Sequence, residues 1–574
     1  MLTSLRAAVV LTIVSGLSAF AQPVVNAAVN AASYLTPPAQ GSTPTPAPIA
    51  QGSIFVVFGT GMSGTNLVQA SGFPLQTTMN GTSITVTPSG GQPVQALMVY
   101  TLAQQLAAIL PSSTPVGPAT LTVTYNGHTS GPLNIVVTKS VPGIFTNNAQ
   151  GFGPGVAQIA LSGTDIRRNL LTTPGTPGSV MILYGTGLGP ISGADSNPPG
   201  AVDLRGSEQI GVTVGGKAAM VLYAGRAPQF PGEDQINIQL PQDVPLGCYT
   251  PAVVTVNGIP SNDFVLSTAS ALGSCVHPFG LSPQAEATLD SGGTVNIGVF
   301  AAVRGAVQTI IADGAGGLFE TANASQVFST LNLIVQNFHV TYYPAATGSC
   351  VVYDELSVPV SGIPLPDFTT IGSTELQPAA SLLLSGPNNV TQGIIRAGGP
   401  GAGYLYVNIA AATSPLLGPG TWTLSADGGP DIAAFSAQTE FPANLTWNNR
   451  GTFLTNAPTS GVTLTWDGGA TATQPNVNIF GNSSVFNPSD PSKNRGKSFS
   501  CIVPVSAKQF AVPAAVTNQL PLPGAGEIGN GELGISMGGG SQFNAKLTNG
   551  QPLDGSFFGF GEAFVNNGSS FAWK

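Results

Sequence analysis

Two patterns of apolar and polar positions recur along the chain. The run "IFVVFGTGM", from Ile54, is apolar on both strand faces and stops at Gly59-Thr60-Gly61, as a buried strand bounded by turn residues does. The stretch "LTVTYNGHTSGPLNIVVT", from Leu121, alternates apolar and polar residues on either side of Asn126-Gly127, a pair that accepts the positive φ angles of a tight hairpin turn. Similar segments continue through the second half, among them "TVNIGVFAAV", "GYLYVNIAAA", "GTWTLSA" and "VTLTWDGG", with glycine-rich turns between them. Ala306 to Val335 has room for a short helix, but strand–turn–strand fits it better. The expectation is an all-β chain of short strands.

The first half repeats itself. "GSIFVVFGTGM" from Gly52 is echoed by "GSVMILYGTGL" from Gly178, and "ILPSSTPVGPATLTVTYNGHTSGPLNIVVT" from Ile109 by "QLPQDVPLGCYTPAVVTVNGIPSNDFVLST" from Gln239. The order is the same in both: strand, Gly-Thr-Gly, a variable middle, Leu-Pro, Pro-x-Gly, strand, Asn-Gly, strand. A period of this length means two copies of a domain, each about the size of an Ig-like sandwich. The Pro-rich piece Thr36 to Ser53 reads as a long loop inside the first copy, and Ser140 to Gln158 as the connection to the second.

These copies resemble IPT/TIG-type Ig-like domains. They are most similar to the Solibacter-type module that recurs in exported proteins of Acidobacteria. Gly178-Ser179-Val180 to Gly189-Pro190, Pro245-Leu246-Gly247-Cys248-Tyr249, Ser261-Asn262 and Cys275 carry the resemblance. It covers about residues 24 to 280. It implies a sandwich fold with a cysteine at the Cys248 position paired to one past the last strand. Pro118 stands at that position in the first copy. The module has no established activity, so the resemblance implies none.

Composition adds the compartment. The N-terminus has a basic Arg6, an apolar stretch Ala7 to Leu17, and Ala19-Phe20-Ala21 before Gln22. That is the layout of a secretory signal with cleavage after residue 21. No later segment is apolar enough to span a bilayer. Export makes Cys248, Cys275, Cys350 and Cys501 candidates for two disulfides. Three pairings exist; Cys248–Cys275 with Cys350–Cys501 keeps each bond within one proposed region. Charged residues are 7% of the chain and the net charge is −9. With no basic patch, nucleic acid is not an expected partner.

Candidate chemistry is sparse. Gly59-Thr60-Gly61-Met62-Ser63-Gly64 spells a dinucleotide-binding fingerprint, but that motif needs a following helix and an acid about 20 residues on. No Asp or Glu precedes Asp165, so the glycines are read as structural and no cofactor is expected. Asp354, Glu355, Glu375, Asp427, Asp431, Glu440 and Asp467 are the carboxylates on which a glycoside hydrolase would draw, though nothing in the sequence pairs them. Asp427-Gly428-Gly429 and Asp467-Gly468-Gly469 are turn signals first, and no D-x-D-x-D string marks a calcium loop. His128 follows a turn, His339 sits in an alternating strand, and His277 lies beside Cys275. Gly534-Ile535-Ser536-Met537-Gly538 matches a nucleophile elbow, yet no histidine follows it. Trp422, Trp447 and Trp466 fit alternating strands and so a core. Trp447 and Trp466 are the residues considered for stacking on a sugar ring. Sequons such as Asn389-Val390-Thr391 and Asn444-Leu445-Thr446 mark polar loops.

The sequence therefore predicts a signal peptide over 1–21, Ig-like domains over 22–140 and 141–274, and a β-rich, sandwich-like region over 275–574, divisible into two subdomains. The expected role is structural or binding, at the cell surface or outside the cell, without catalysis. The expected partner is an extracellular polysaccharide or a surface protein. The alternatives are a carbohydrate-active enzyme with its site in 275–574, or a carbohydrate-binding module.

Overall fold

The computed structural model describes residues 22–35, 46–149, 151–262, 264–277, 280–308, 317–324, 327–329, 348–353, 374–376, 379–396, 404–408, 417–443, 445–468, 475–490, 494–566 and 571–574. The signal segment, His339, Asp354 and Glu355 lie outside them. The regular structure of the described chain is mostly β-sheet, arranged as tandem Ig-like sandwiches followed by a larger β region.

In the first repeat, one sheet runs in the order Val24–Asn30, Ile54–Thr60, Gln105–Ile109, Leu97–Thr101 and Val68–Gln69. The facing sheet is built on Leu133–Thr138, Gly117–Tyr125 and Thr82–Pro88. Thr82–Pro88 alternates buried and half-buried along its length. Phe55, Val57, Ile84, Val86, Leu121 and Val123 fill the space between the sheets, so the period-two pattern becomes a sandwich core. The Pro-rich loop holds a strand that the sequence did not suggest: Ala47–Ala50 pairs in parallel with Leu133–Thr138. Its proline, Pro48, sits on an edge strand, where a missing N–H is tolerated.

The second repeat keeps the topology. Val180–Thr186 pairs with Asp234–Gln239, and Gly247–Val256 lies between Ile210–Val214 and Phe264–Thr268. Lys217–Arg226 belongs to both sheets, bending at a register shift between Val221 and Tyr223. Both hairpins turn through αL backbone, with φ of 47° and 85° at Asn126 and Gly127, and 52° and 82° at Asn257 and Gly258. After each turn a serine bridges the hairpin: Ser130 Oγ accepts from Val123 N, and Ser261 Oγ from Val254 N.

The opening glycines are structural. A Cβ on Gly59 would collide with the carbonyl of Val24, and one on Gly185 with the carbonyl of Gly143. At each site a neighbouring strand crosses too closely for a side chain.

Beyond the repeats, one 14-stranded sheet organises the chain. Its spine is the hairpin of Ile528–Lys546 and Pro552–Asn566, with Asn296–Gln308 parallel to the second strand. The hairpin serves two cores. Phe543, Leu553 and Phe557 pack with Phe300, Trp422 and Leu424, whereas Leu533, Ile535 and Val565 pack with Trp447, Trp466, Phe499 and Trp573. Between the repeats and this sheet stands a helix, Pro283–Asp290, N-capped by Ser282.

Candidate functional site

The chemistry of this chain concentrates where its modules meet. At the junction of the two repeats, Arg226 and Asp234 form an ion pair with both side chains fully buried. The guanidinium also donates to Gly189 O at 2.8 Å and, across the junction, to Gly52 O at 2.9 Å. Asp234 Oδ2 accepts from Leu188 N at 2.8 Å. Burial pushes the Asp234 carboxyl up, and Arg226 and the Leu188 amide pull it back.

Further polar bonds cross the same junction. Thr186 Oγ1 accepts from Ile54 N and donates to Gly232 O. Asp195 accepts from Ser112 N and Oγ at 2.6 and 2.8 Å. Asn30 Nδ2 donates to Val141 O at 2.9 Å. Phe230 of the second repeat packs on the apolar patch of Ile54, Val56 and Ile109 in the first, edge-on to Phe73. The hydrogen bonds of Arg226, Thr186 and Asp195 across this junction are buried and directional.

A second joint links the second repeat to the large sheet. Cys248 and Cys275 are disulfide-bonded, as are Cys350 and Cys501, in the pairing expected from the sequence, with Cys275 at the first position of the 275–574 region. Two such bonds fit an oxidising, extracytoplasmic compartment. The helix Pro283–Asp290 clasps both neighbours. Asp290 accepts from Leu171 N, Thr172 N and Thr172 Oγ1 of the second repeat. At its other end, Ser282 N and Oγ donate to Asp554 Oδ2 in the large sheet, at 2.9 and 2.6 Å. Glu286, buried in the helix, places Oε1 3.4 Å from Cys248 Sγ and 3.9 Å from Cys275 Sγ. Burial raises its pKa to about 7, against a partial lowering by Ser274. Nearby, His277 and Tyr249 are buried and hydrogen-bonded at 2.9 Å; burial lowers the His277 pKa to about 3, so the ring is neutral.

Among the described residues, Cys248, Cys275 and Glu286 are the one trio close enough to ligate a metal. Both sulfurs are already bonded to each other, which leaves no thiolate for an ion.

Among the described carboxylates considered from sequence, Glu440 and Asp467 lie apart. Glu440 Oε2 accepts from Thr421, and Asp467 Oδ2 from Asn448, in different sheets. Ser536 lies inside the 19-residue strand Ile528–Lys546, not at a strand-to-helix elbow, and is buried. His128 is exposed beside its turn.

The tryptophans are core residues. Trp422, Trp447 and Trp466 are 1%, 5% and 0% exposed. Trp466 Nε1 donates to Val505 O, and Trp447 pairs with it across two strands. Neither Trp447 nor Trp466 presents a face for a sugar ring; strand alternation turned both inward. Sequence reading overlooked Arg226, Asp234 and Glu286. Their signal is the rarity of charge in this chain, where a buried ionic residue stands out only once its partners are known.

No protein-family model and no curated protein matches the sequence. Solved structures similar to it include a tetra-tandem repeat from the extending region of a large adhesion protein, 13% identical, with 89% of this chain and 95% of that chain covered at a TM-score of 0.13. A surface glycan-binding protein from Prevotella bryantii is 12% identical over 42% of this chain and 41% of that one, at 0.13. Domains 4–9 of a surface-layer protein are 10% identical over 96% of this chain and 66% of that one, at 0.17. Superpositions this loose carry no argument about function, and the sandwich assignment stands on the strand pairing.

Proposed function

We propose that this chain is an exported, non-catalytic structural and binding protein of the cell surface or extracellular space. A signal peptide over 1–21 delivers it. The modules over 22–140 and 141–274, of the Solibacter-type Ig-like kind, form a rigid stalk that presents the region 275–574. The observation that carries this reading is the buried Arg226–Asp234 pair reaching Gly52 O across the junction. A flexible tether has no use for a desolvated ion pair at its joint. Such a pair is strongly destabilising when one partner is lost, by about 3–5 kcal/mol, so it holds one geometry or fails. The disulfides and the near absence of charge suit an extracellular surface.

The test is the distance between the repeats. Spin labels at Val116→Cys and Met220→Cys, both exposed positions, should give one narrow distance distribution in the full chain. Arg226→Ala should broaden it. A broad distribution in the otherwise unaltered chain would refute the rigid stalk.

A further inference from the structure

At the foot of the joint helix lies a cleft of about 890 Å³, within the size range of small-ligand sites. Three walls form it: the helix Pro283–Asp290, the segment from Thr294 to Asn296, and the tip of the hairpin that joins Ile528–Lys546 to Pro552–Asn566. Each wall is fixed by its own hydrogen bonds. Ser282 Oγ caps Ala285 N, and Gly293 N donates to Thr288 O. Asn296 Nδ2 ties the segment to Pro552 O. The hairpin tip closes with Leu547 N to Gln551 O, and Thr548 N anchors it to Asp431 O. A ligand would meet a preformed surface and cost little ordering.

The lining decides the chemistry. Gln284, Thr294, Asn544 and Gln551 are exposed within it, and no hydrogen bond among the described residues engages their side chains. They offer neutral donors and acceptors, while exposed Pro552 and half-buried Ala545 supply small apolar surface between them. The helix N-terminus, the natural seat for an anion, is already filled: Asp554, 5% exposed, accepts from both Ser282 N and Ser282 Oγ. Among the described residues, Lys546 is the one cation of the lining. Phosphate or sulfate finds no second positive group, and an apolar ligand would strand the amides.

We propose that this cleft binds a neutral polyhydroxylated ligand, a short stretch of an uncharged polysaccharide. Hydroxyls would pair with the amides of Gln284, Asn544 and Gln551, and the C–H faces of the sugar would rest on Ala545 and Pro552. The inference rests on the exported binding role above and gives that role a ligand class and a place.

Calorimetric titration of the full chain with neutral hexasaccharides of glucose, xylose and mannose tests it. At least one should bind, and its binding should slow hydrogen exchange in residues 282–296 and 544–554. Asn544→Ala with Gln551→Ala, both at exposed positions, should weaken binding about tenfold, with the melting temperature held. Three results would overturn the proposal: no hexasaccharide binds, protection falls only elsewhere, or a sulfated oligosaccharide competes with strong salt dependence. The spin-label distances do not involve the cleft, so a rigid stalk with an empty cleft would sink this inference and leave the stalk standing.

Discussion

Charge is so scarce here that each buried ionic residue shapes the pH response. Glu286 is fully buried and Glu532 is 2% exposed. Burial raises both pKa values to about 7; Asn482, 3.0 Å from Glu532 Oε2, pulls the second partway back. Both folded values stand above the ordinary glutamate value, so the folded chain keeps protons that the unfolded chain releases. The stability tied to these protons is complete below the ordinary glutamate range and is lost as pH rises through about 7. Glu286→Gln and Glu532→Gln should therefore raise stability at pH 8, by something on the order of 1–3 kcal/mol each, and change little at pH 4. Urea unfolding at the two pH values checks this; equal effects at both would show that the carboxyls are ionised throughout. None of it was legible in the sequence. Burial of Arg226 depends on Gly52, 174 positions away, and nothing local to "YAGRAP" or "PQAEAT" announces it. The glycines of "FGTGM" were legible, because what they exclude, a helix and an acid, can be read directly.

At the scale of elements, strands were easy and the one longer helix among the described residues was missed. Its signals are present: Ser282 at the N-cap, Pro283 in the first turn, and Gly292-Gly293 after the end, the asymmetry helices favour. At 8 residues it is too short for a helical period to emerge against a β background. The strand Ala47–Ala50 hid for the opposite reason, since its proline reads as loop. The repeated Gly-Thr-Gly allows a paired test. Gly59→Ala and Gly185→Ala each force a methyl against a backbone carbonyl. Each should destabilise its repeat by about 1–3 kcal/mol, as overpacking does. Equal, additive losses in denaturant unfolding would show that the two glycines do the same work in two copies. A neutral substitution at either would mean that the neighbouring strand can move away.

Across the whole molecule, stability is gathered in separate cores joined by polar clasps, and the two disulfides sit in different kinds of place. Cys248–Cys275 closes a span of 27 residues beside the joint helix; Cys350–Cys501 closes one of 151. Cys350 lies on Ser349–Tyr353, which is at the end of the strand order in the 14-stranded sheet and pairs with Arg495–Pro504. Restricting the unfolded chain stabilises more when the closed loop is longer, by roughly 3.5 kcal/mol for the short span and 5 kcal/mol for the long one in the chain-entropy description. Cys350→Ser with Cys501→Ser should therefore lower the stability of the sheet region more than Cys248→Ser with Cys275→Ser lowers that of the second repeat. The short bond has a second consequence, however. Its sulfurs pack against Glu286, and the helix bearing Glu286 holds Thr172 on one side and Asp554 on the other. Loss of that bond should loosen the joint as well as the repeat, with faster hydrogen exchange at Leu171, Thr172 and Ser282. Loss of the long bond should leave those amides protected. If both double variants exposed the joint equally, the disulfides would be acting on the chain as a whole, and the division of labour between core and clasp would be wrong.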